Sequence, residues 1–313
     1  MRSAIRCPYF QKAFGWSVPI GGLAGLVGLG GGEFRLPVLM FVVGYPARTA
    51  VPLNLAVSLI TLTFALIVRS RAVSVAALAP YLNEVAGLAV GGVASAFYGA
   101  RFVSAIESEH LIKTIAALLA ALGVLILFEV AYPFQYAQVI PAGAAFHFGT
   151  GFALGIIIGL ASSILGVAGG ELLIPTMMFV FGADIKTAGT ASIVISVCVV
   201  TSGLWRYWRS GAMETRLGAR RIVSAMSAGS LIGAGLGGLA VGFAPIGAIK
   251  AVLGFVLIAA AAKVALSQHQ GSTTTESNRI TIALFCAIVL LITVYMILRF
   301  PDLGAIIAQY NQF

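Results

Sequence analysis

The fold turns on two stretches, GLGGGEFRLP at residues 28–37 and GVAGGELLIP at residues 166–175. Sliding the chain by 138 positions lays one on the other, and the match continues to Ser58 and Ser196. Of these 31 aligned positions twelve are identical: Gly28, Gly31, Gly32, Glu33, Pro37, Met40, Phe41, Val42, Gly44, Thr49, Ala50 and Ser58 all meet their own kind. Two apolar windows of such composition would share about three by chance. Arg48 falls on Lys186 and Arg71 on Arg209, so the correspondence reaches beyond the glycines. The chain is a duplicated half.

Around these stretches, 60% of the 313 residues are hydrophobic and only 9% are charged. A soluble domain carries roughly 25% charged residues because its surface faces water, so the exterior here faces lipid. Soluble enzymes, disordered chains and disulfide scaffolds are excluded. The net charge of +9 comes from 19 Lys and Arg scattered between apolar runs. That distribution suits the positive-inside bias rather than nucleic acid. Cys7, Cys198 and Cys286 lie far apart and form no zinc or redox spacing.

A span needs about 20 apolar residues. Residues 49–68, 72–100, 111–128, 187–204, 222–243, 248–266 and 280–298 pass that test. Residues 21–44 and 151–182 are longer than one span and are interrupted by glycines and one acid. The expectation is an all-α polytopic membrane protein of 8–9 transmembrane helices. Two homologous halves, with a helix broken at each Gly-Gly-Glu motif, make up most of it. Its parts are a tail at 1–14, repeats at 15–130 and 145–266, and an additional helix at 280–299. Parity decides whether the halves are parallel or inverted, and the sequence leaves both open.

Arg2, Arg6 and Lys12 precede an apolar run without a cleavage site, which reads as a signal anchor. Arg206, Arg209, Arg216, Arg220 and Arg221 form the densest basic loop, flanked by Trp205, Tyr207 and Trp208. The N-terminus and this loop are therefore expected in the cytoplasm, and residues 131–146, without Lys or Arg, outside. Gly87, Gly91, Ser95 and Gly99, like Gly151, Gly155, Gly159 and Ser163, recur every four residues as close-packing faces.

Glycines in succession let backbone unwind, and a helix restarting behind them aims free N–H groups at an anion. Irregular backbone at membrane depth survives only when protein buries it or water lines it, so two related breaks are expected to share one cavity. Gly31, Gly32, Gly169 and Gly170 supply the amides. Glu33 and Glu171 cap them or carry a proton. Pro37 and Pro175 sit in the first turns of the restarted helices, where the missing N–H is tolerated. Arg35, opposite Leu173, either neutralises Glu33 or draws the anion. Asn54, Ser192 and Thr190 bind anion oxygens or bond across helices. Glu84, beside Pro80 and Asn83, marks a kink or a polar wall, and His147 reads as a lone interfacial histidine.

The paired GLGGGEFRLP and GVAGGELLIP, each followed by a hydrophobic stretch and an Arg/Lys-Thr-Ala helix start, resemble the TauE/SafE sulfite exporter family over roughly residues 15–266. The resemblance implies a multi-pass bacterial inner-membrane protein that moves sulfite, sulfoacetate or other small organic anions. Gly31, Gly32, Glu33, Pro37, Gly169, Gly170, Glu171 and Pro175 are the positions that carry over. Ala168 stands where the first half has Gly30, and a segment after Arg279 is added. A secondary carrier for a small anion, working by alternating access and driven by a proton or by the membrane potential, is expected, with a passive anion channel as the alternative. No catalytic HExxH or GxSxG, no Walker A motif and no cofactor or metal site is present in the sequence. The expected partners are the anion and the bilayer, not nucleic acid; a homo-oligomer is compatible with all of this.

Overall fold

A computed structural model of the chain describes residues 7–45, 47–103, 108–131, 143–165, 167–210 and 217–268. Ten α-helices hold most of these: α1 (Cys7–Val27), α2 (Gly32–Pro37), α3 (Ala47–Ala72), α4 (Leu82–Val103), α5 (Ser108–Ala131), α6 (Ala144–Leu165), α7 (Gly170–Phe179), α8 (Ile185–Arg209), α9 (Leu217–Phe243) and α10 (Ile246–Gln268). A π-helical turn, Val38–Val42, extends α2, and a 3-10 segment, Val75–Tyr81, leads into α4. Among the described residues there is no strand. In lipid every backbone polar group must be satisfied within the chain, and a helix does this locally.

Five of the helical stretches are long and apolar enough to cross a bilayer: Thr49–Arg71, Val75–Phe97, Ala144–Ser162, Ile185–Arg209 and Ala219–Phe243. The protein is a multi-pass membrane protein. Helix α1 begins at Cys7, inside the stretch expected to be a tail. The additional helix expected at 280–299 lies outside the described residues.

The helices form two compact units, each spanning both halves of the sequence. One holds α1 to α4 and α6 to α9, and the other holds most of α5 and α10. A shift of 138 carries α1 to α6, α2 to α7, α3 to α8, α4 to α9 and α5 to α10. Contacts reveal the direction of each pair. Leu55 near the start of α3 meets Gly203 late in α8, whereas Arg69 at the end of α3 bonds Lys186 and Thr190 at the start of α8. These two equivalent helices therefore run antiparallel. In the other unit Gly123 meets Ile258, and Leu127 meets Gly254, so α5 and α10 are antiparallel as well. Equivalent elements with opposite directions make an inverted repeat. The orientation left open by the sequence is thus the inverted one, and among the described residues each half contributes five helical segments.

The halves also interlock. Helix α1 packs along α9, and its repeat equivalent α6 packs along α4. Both contacts are parallel: Phe14, Val18 and Gly22 of α1 meet Gly229, Gly233 and Gly237, while Leu88 and Gly92 of α4 meet Gly155 and Gly159. These interfaces are made of small residues. A Cβ added at Gly151 would stand 2.8 Å from the Glu84 carbonyl oxygen, and one at Gly159 would stand 2.9 Å from the Gly92 oxygen. Backbones approach this closely only when side chains are absent, and dispersion between the helices then replaces contact with lipid. The glycine faces at 87–95 and 151–159 are thus partners of one another.

Candidate functional site

Helix α1 ends at Val27 and α2 starts at Gly32, while α6 ends at Leu165 and α7 starts at Gly170. The residue just before each restart is left-handed: Gly31 has φ 66° and Gly169 has φ 79°. A Cβ there would crowd the following carbonyl, so glycine is selected. Past the turn the chain doubles back beside α1 and α3. A Cβ on Gly31 would touch Ile20, and Asn54 Nδ2 donates to the Gly32 carbonyl at 3.2 Å.

The two turns lie against each other. An added Cβ on Gly30 would be 2.7 Å from Ala168 Cβ, and one on Gly170 would be 3.2 Å from Leu29 Cα. Gly28, at φ 100°, packs directly on the backbone of Gly189 in α8. Ser196 Oγ donates to the Ala168 carbonyl at 3.3 Å. Each half of the protein closes over the other's turn.

Polar side chains collect behind this contact. Arg35 of α2 is fully buried. Its guanidinium donates to Ser58 Oγ at 2.9 Å and Thr61 Oγ1 at 3.4 Å on α3, and to Ser230 Oγ at 3.1 Å on α9. Three hydroxyls hold the charge in place, and Glu33 is the acid whose charge acts on it. Arg35 Nε is buried with no hydrogen-bond partner among the described residues. Glu33 and Asn54 are buried beside it. Pro37 closes α2 before the π-helical turn.

In the second half the same frame carries no cation, because Leu173 stands in place of Arg35. Glu171 is buried in the first turn of α7, and Pro175 lies within that helix. Ser192, the counterpart of Asn54, is fully buried near Gly170, its hydroxyl without a hydrogen-bond partner among the described residues. The structure therefore gathers Gly31, Gly32, Glu33, Arg35 and Asn54 on one side and Gly169, Gly170, Glu171 and Ser192 on the other. Thr190 is set apart: its hydroxyl donates to the Lys186 carbonyl and accepts from Arg69 Nε at 3.0 Å.

The model of the sulfite exporter TauE/SafE family matches residues 13–219 and, separately, residues 150–308. The chain belongs to the TauE/SafE sulfite exporter family. Two overlapping matches on one chain agree with the duplicated half read from the sequence. TauE/SafE proteins are transporters rather than enzymes. No curated protein and no solved structure matches the chain.

Several polar residues of this TauE/SafE chain escaped the sequence reading. Ser58, Thr61 and Ser230 are ordinary hydroxyls until α2 places a guanidinium among them. Arg69 is fully buried and donates to the Gly25 and Leu26 carbonyls at the end of α1, to Thr190 and to the Lys186 carbonyl, joining the two halves. Its signal was an arginine inside an apolar run with Tyr207 as its repeat partner. His147 is not alone: its Nδ1 lies 2.5 Å from Glu84 Oε1, across the α4–α6 interface.

Proposed function

We propose that this protein is a secondary transporter that carries a small anion, a sulfite or organosulfonate, through the contact between its two glycine turns. The observation that carries the reading is Arg35, a fully buried guanidinium held by hydroxyls from α3 and α9 beside those turns. A buried cation is costly in hydrocarbon and is kept where it meets a negative solute. Leu62 and Ser196, which touch the turns, lie near the middle of the spans Thr49–Arg71 and Ile185–Arg209. That supports a site near the bilayer midplane, reached through broken helices, as in other inverted-repeat carriers.

The parts then divide as follows. Arg35 supplies charge, and its fork suits two oxygens of a tetrahedral or pyramidal anion. Gly31 and Gly32 with Gly169 and Gly170 let backbone approach the solute. The first turn of α7 presents amides, with Ser192 and Asn54 as neutral ligands. Glu33 and Glu171 set the charge balance, while Pro37 and Pro175 shape the restarted helices. Thr190 serves the site through Arg69. The tightly packed pairs α1–α9 and α4–α6 are natural rigid bodies, rocking across the α3–α8 contact to expose the site alternately. We place the N-terminus and the Arg206–Arg221 loop in the cytoplasm; α1 and α9 run parallel, so both begin on one side.

The test is flux of radiolabelled sulfite, sulfoacetate and control anions in proteoliposomes with imposed pH gradients. A carrier gives saturable uptake and counterflow against unlabelled anion. A passive channel gives flux without counterflow, and no flux of any anion refutes both.

A further inference from the structure

Among the described residues three buried acids lie in the first unit: Glu33, Glu84 and Glu171. Glu33 has a permanent counter-charge in Arg35, and Glu171 sits on the first turn of α7, where the helix dipole offers another. Glu84 is different, because its partner is a histidine, His147, rather than a permanent charge. The carboxylate is almost fully buried and its second oxygen, Oε2, has no hydrogen-bond partner among the described residues. The imidazole is 16% exposed at the start of α6.

The pair bridges the halves of the protein. It joins the start of α4 to the start of α6, one turn ahead of the glycine contacts that lock those helices together. Its repeat equivalents are Ile222 and Tyr9, so the sequence puts no acid and no histidine at the matching positions. Tyr81 on the 3-10 segment donates to the Gly182 carbonyl and feels the charges of both Glu84 and Asp184. Asp184 caps α8, Lys186 after it turns its Nζ to the Gly242 carbonyl of α9, and Arg206 at the far end of α8 donates to the Ala96 carbonyl of α4. Gly92 of α4 lies opposite Val199, and the helices run parallel. Counting back two turns on each brings Glu84 level with Ala191 and Ser192.

Resting on the transporter reading, we infer that the Glu84–His147 pair is the proton-binding site that couples anion movement to a proton gradient. With one proton, on Nδ1 between the ring and the carboxylate, the pair carries one negative charge near the mouth and opposes an incoming anion. A second proton, taken from the aqueous phase at the exposed imidazole, makes the pair neutral. The anion then passes, and release of that proton on the other side restores the barrier. One proton moves with each anion, and no oxidant or metal takes part.

The experiment compares wild type, Glu84→Gln and His147→Gln in proteoliposomes with radiolabelled sulfoacetate. Two readouts are taken: counterflow without a gradient, and accumulation under a gradient of about two pH units at zero membrane potential, which supports up to about a hundredfold concentration for one proton per anion. The expected result is that Glu84→Gln keeps counterflow and loses gradient-driven accumulation, while His147→Gln, left with an unneutralised carboxylate, loses both. Accumulation retained by either variant overturns the inference while leaving the carrier intact. If wild type itself shows no counterflow, the transporter reading fails. Should a variant not fold, 15N-histidine NMR of wild type decides: His147 must change protonation between about pH 5 and 8, and a fixed protonation state across that range overturns the proposal.

Discussion

Replacing Gly28 and Gly44 by alanine, one at a time, separates backbone strain from the meeting of the two halves. Both residues are left-handed, at φ 100° and 86°. Each substitution places a Cβ in a conformation that costs an L-residue roughly 1–2 kcal/mol, and each lowers the entropy of the unfolded chain equally. At Gly44 nothing lies within 4 Å of the new atom, so strain is the whole effect. At Gly28 the new atom would clash with the Gly189 carbonyl oxygen and stand 2.7 Å from both Cα and C of that residue, where ordinary contact begins at 3.4 Å, so the two backbones must part by at least 3.4 − 2.7 = 0.7 Å. Such overpacking adds about 1–3 kcal/mol. Gly28→Ala should thus be less stable than Gly44→Ala by a factor of about 5 to 150 in the unfolding constant. Equilibrium unfolding in mixed detergent–lipid micelles, followed by tryptophan fluorescence, measures both. Equal losses for the two variants would refute the close contact between the first turn and α8.

Three further outcomes are expected. Arg35→Leu, which gives the first half the residue of the second, should abolish stabilisation of the detergent-solubilised protein by sulfite; at 100 times the Kd, wild type should gain about 2.7 kcal/mol. Arg35→Lys should retain only part, since an ammonium lacks the planar fork. Gly155→Leu should destabilise the α4–α6 contact by at least about 1–3 kcal/mol in the same unfolding assay. Gly149→Leu, which meets nothing within 4 Å, should stay within about 0.5 kcal/mol of wild type. In a background without Cys7, Cys198 and Cys286, Ser210→Cys and Gly143→Cys should react with an impermeant thiol reagent from opposite faces of the membrane, because α6 and α8 both run parallel to α4.

The glycine turns were legible because left-handed backbone and close approach restrict residue type so strongly that the requirement survives in both halves. The same restriction exposed the small-residue faces of α4 and α6, although periodicity names a face without naming its partner. What escaped was everything settled across the repeats. The pairing of α1 with α9 links residues more than 200 apart, and Glu84 meets His147 only because α4 and α6 cross from one half to the other. Parity was hidden for a simpler reason. Helix α2 with its π-helical turn, and α7 in the second half, are too short to stand out as spans, yet each reverses the chain and so inverts the half that follows. Arg35 was visible as a candidate, but its three hydroxyl partners come from helices that only the fold brings together.

The central claim is that the two turns touch and that transport depends on their separation. Paired cysteines at Gly30 and Ala168 test it directly, since their Cβ atoms need to move only about 1 Å apart to reach disulfide distance. Oxidation should close the bond within one chain and stop anion flux in proteoliposomes, and reduction should restore it. Failure of the bond to form, or undiminished flux with the bond closed, would contradict the account.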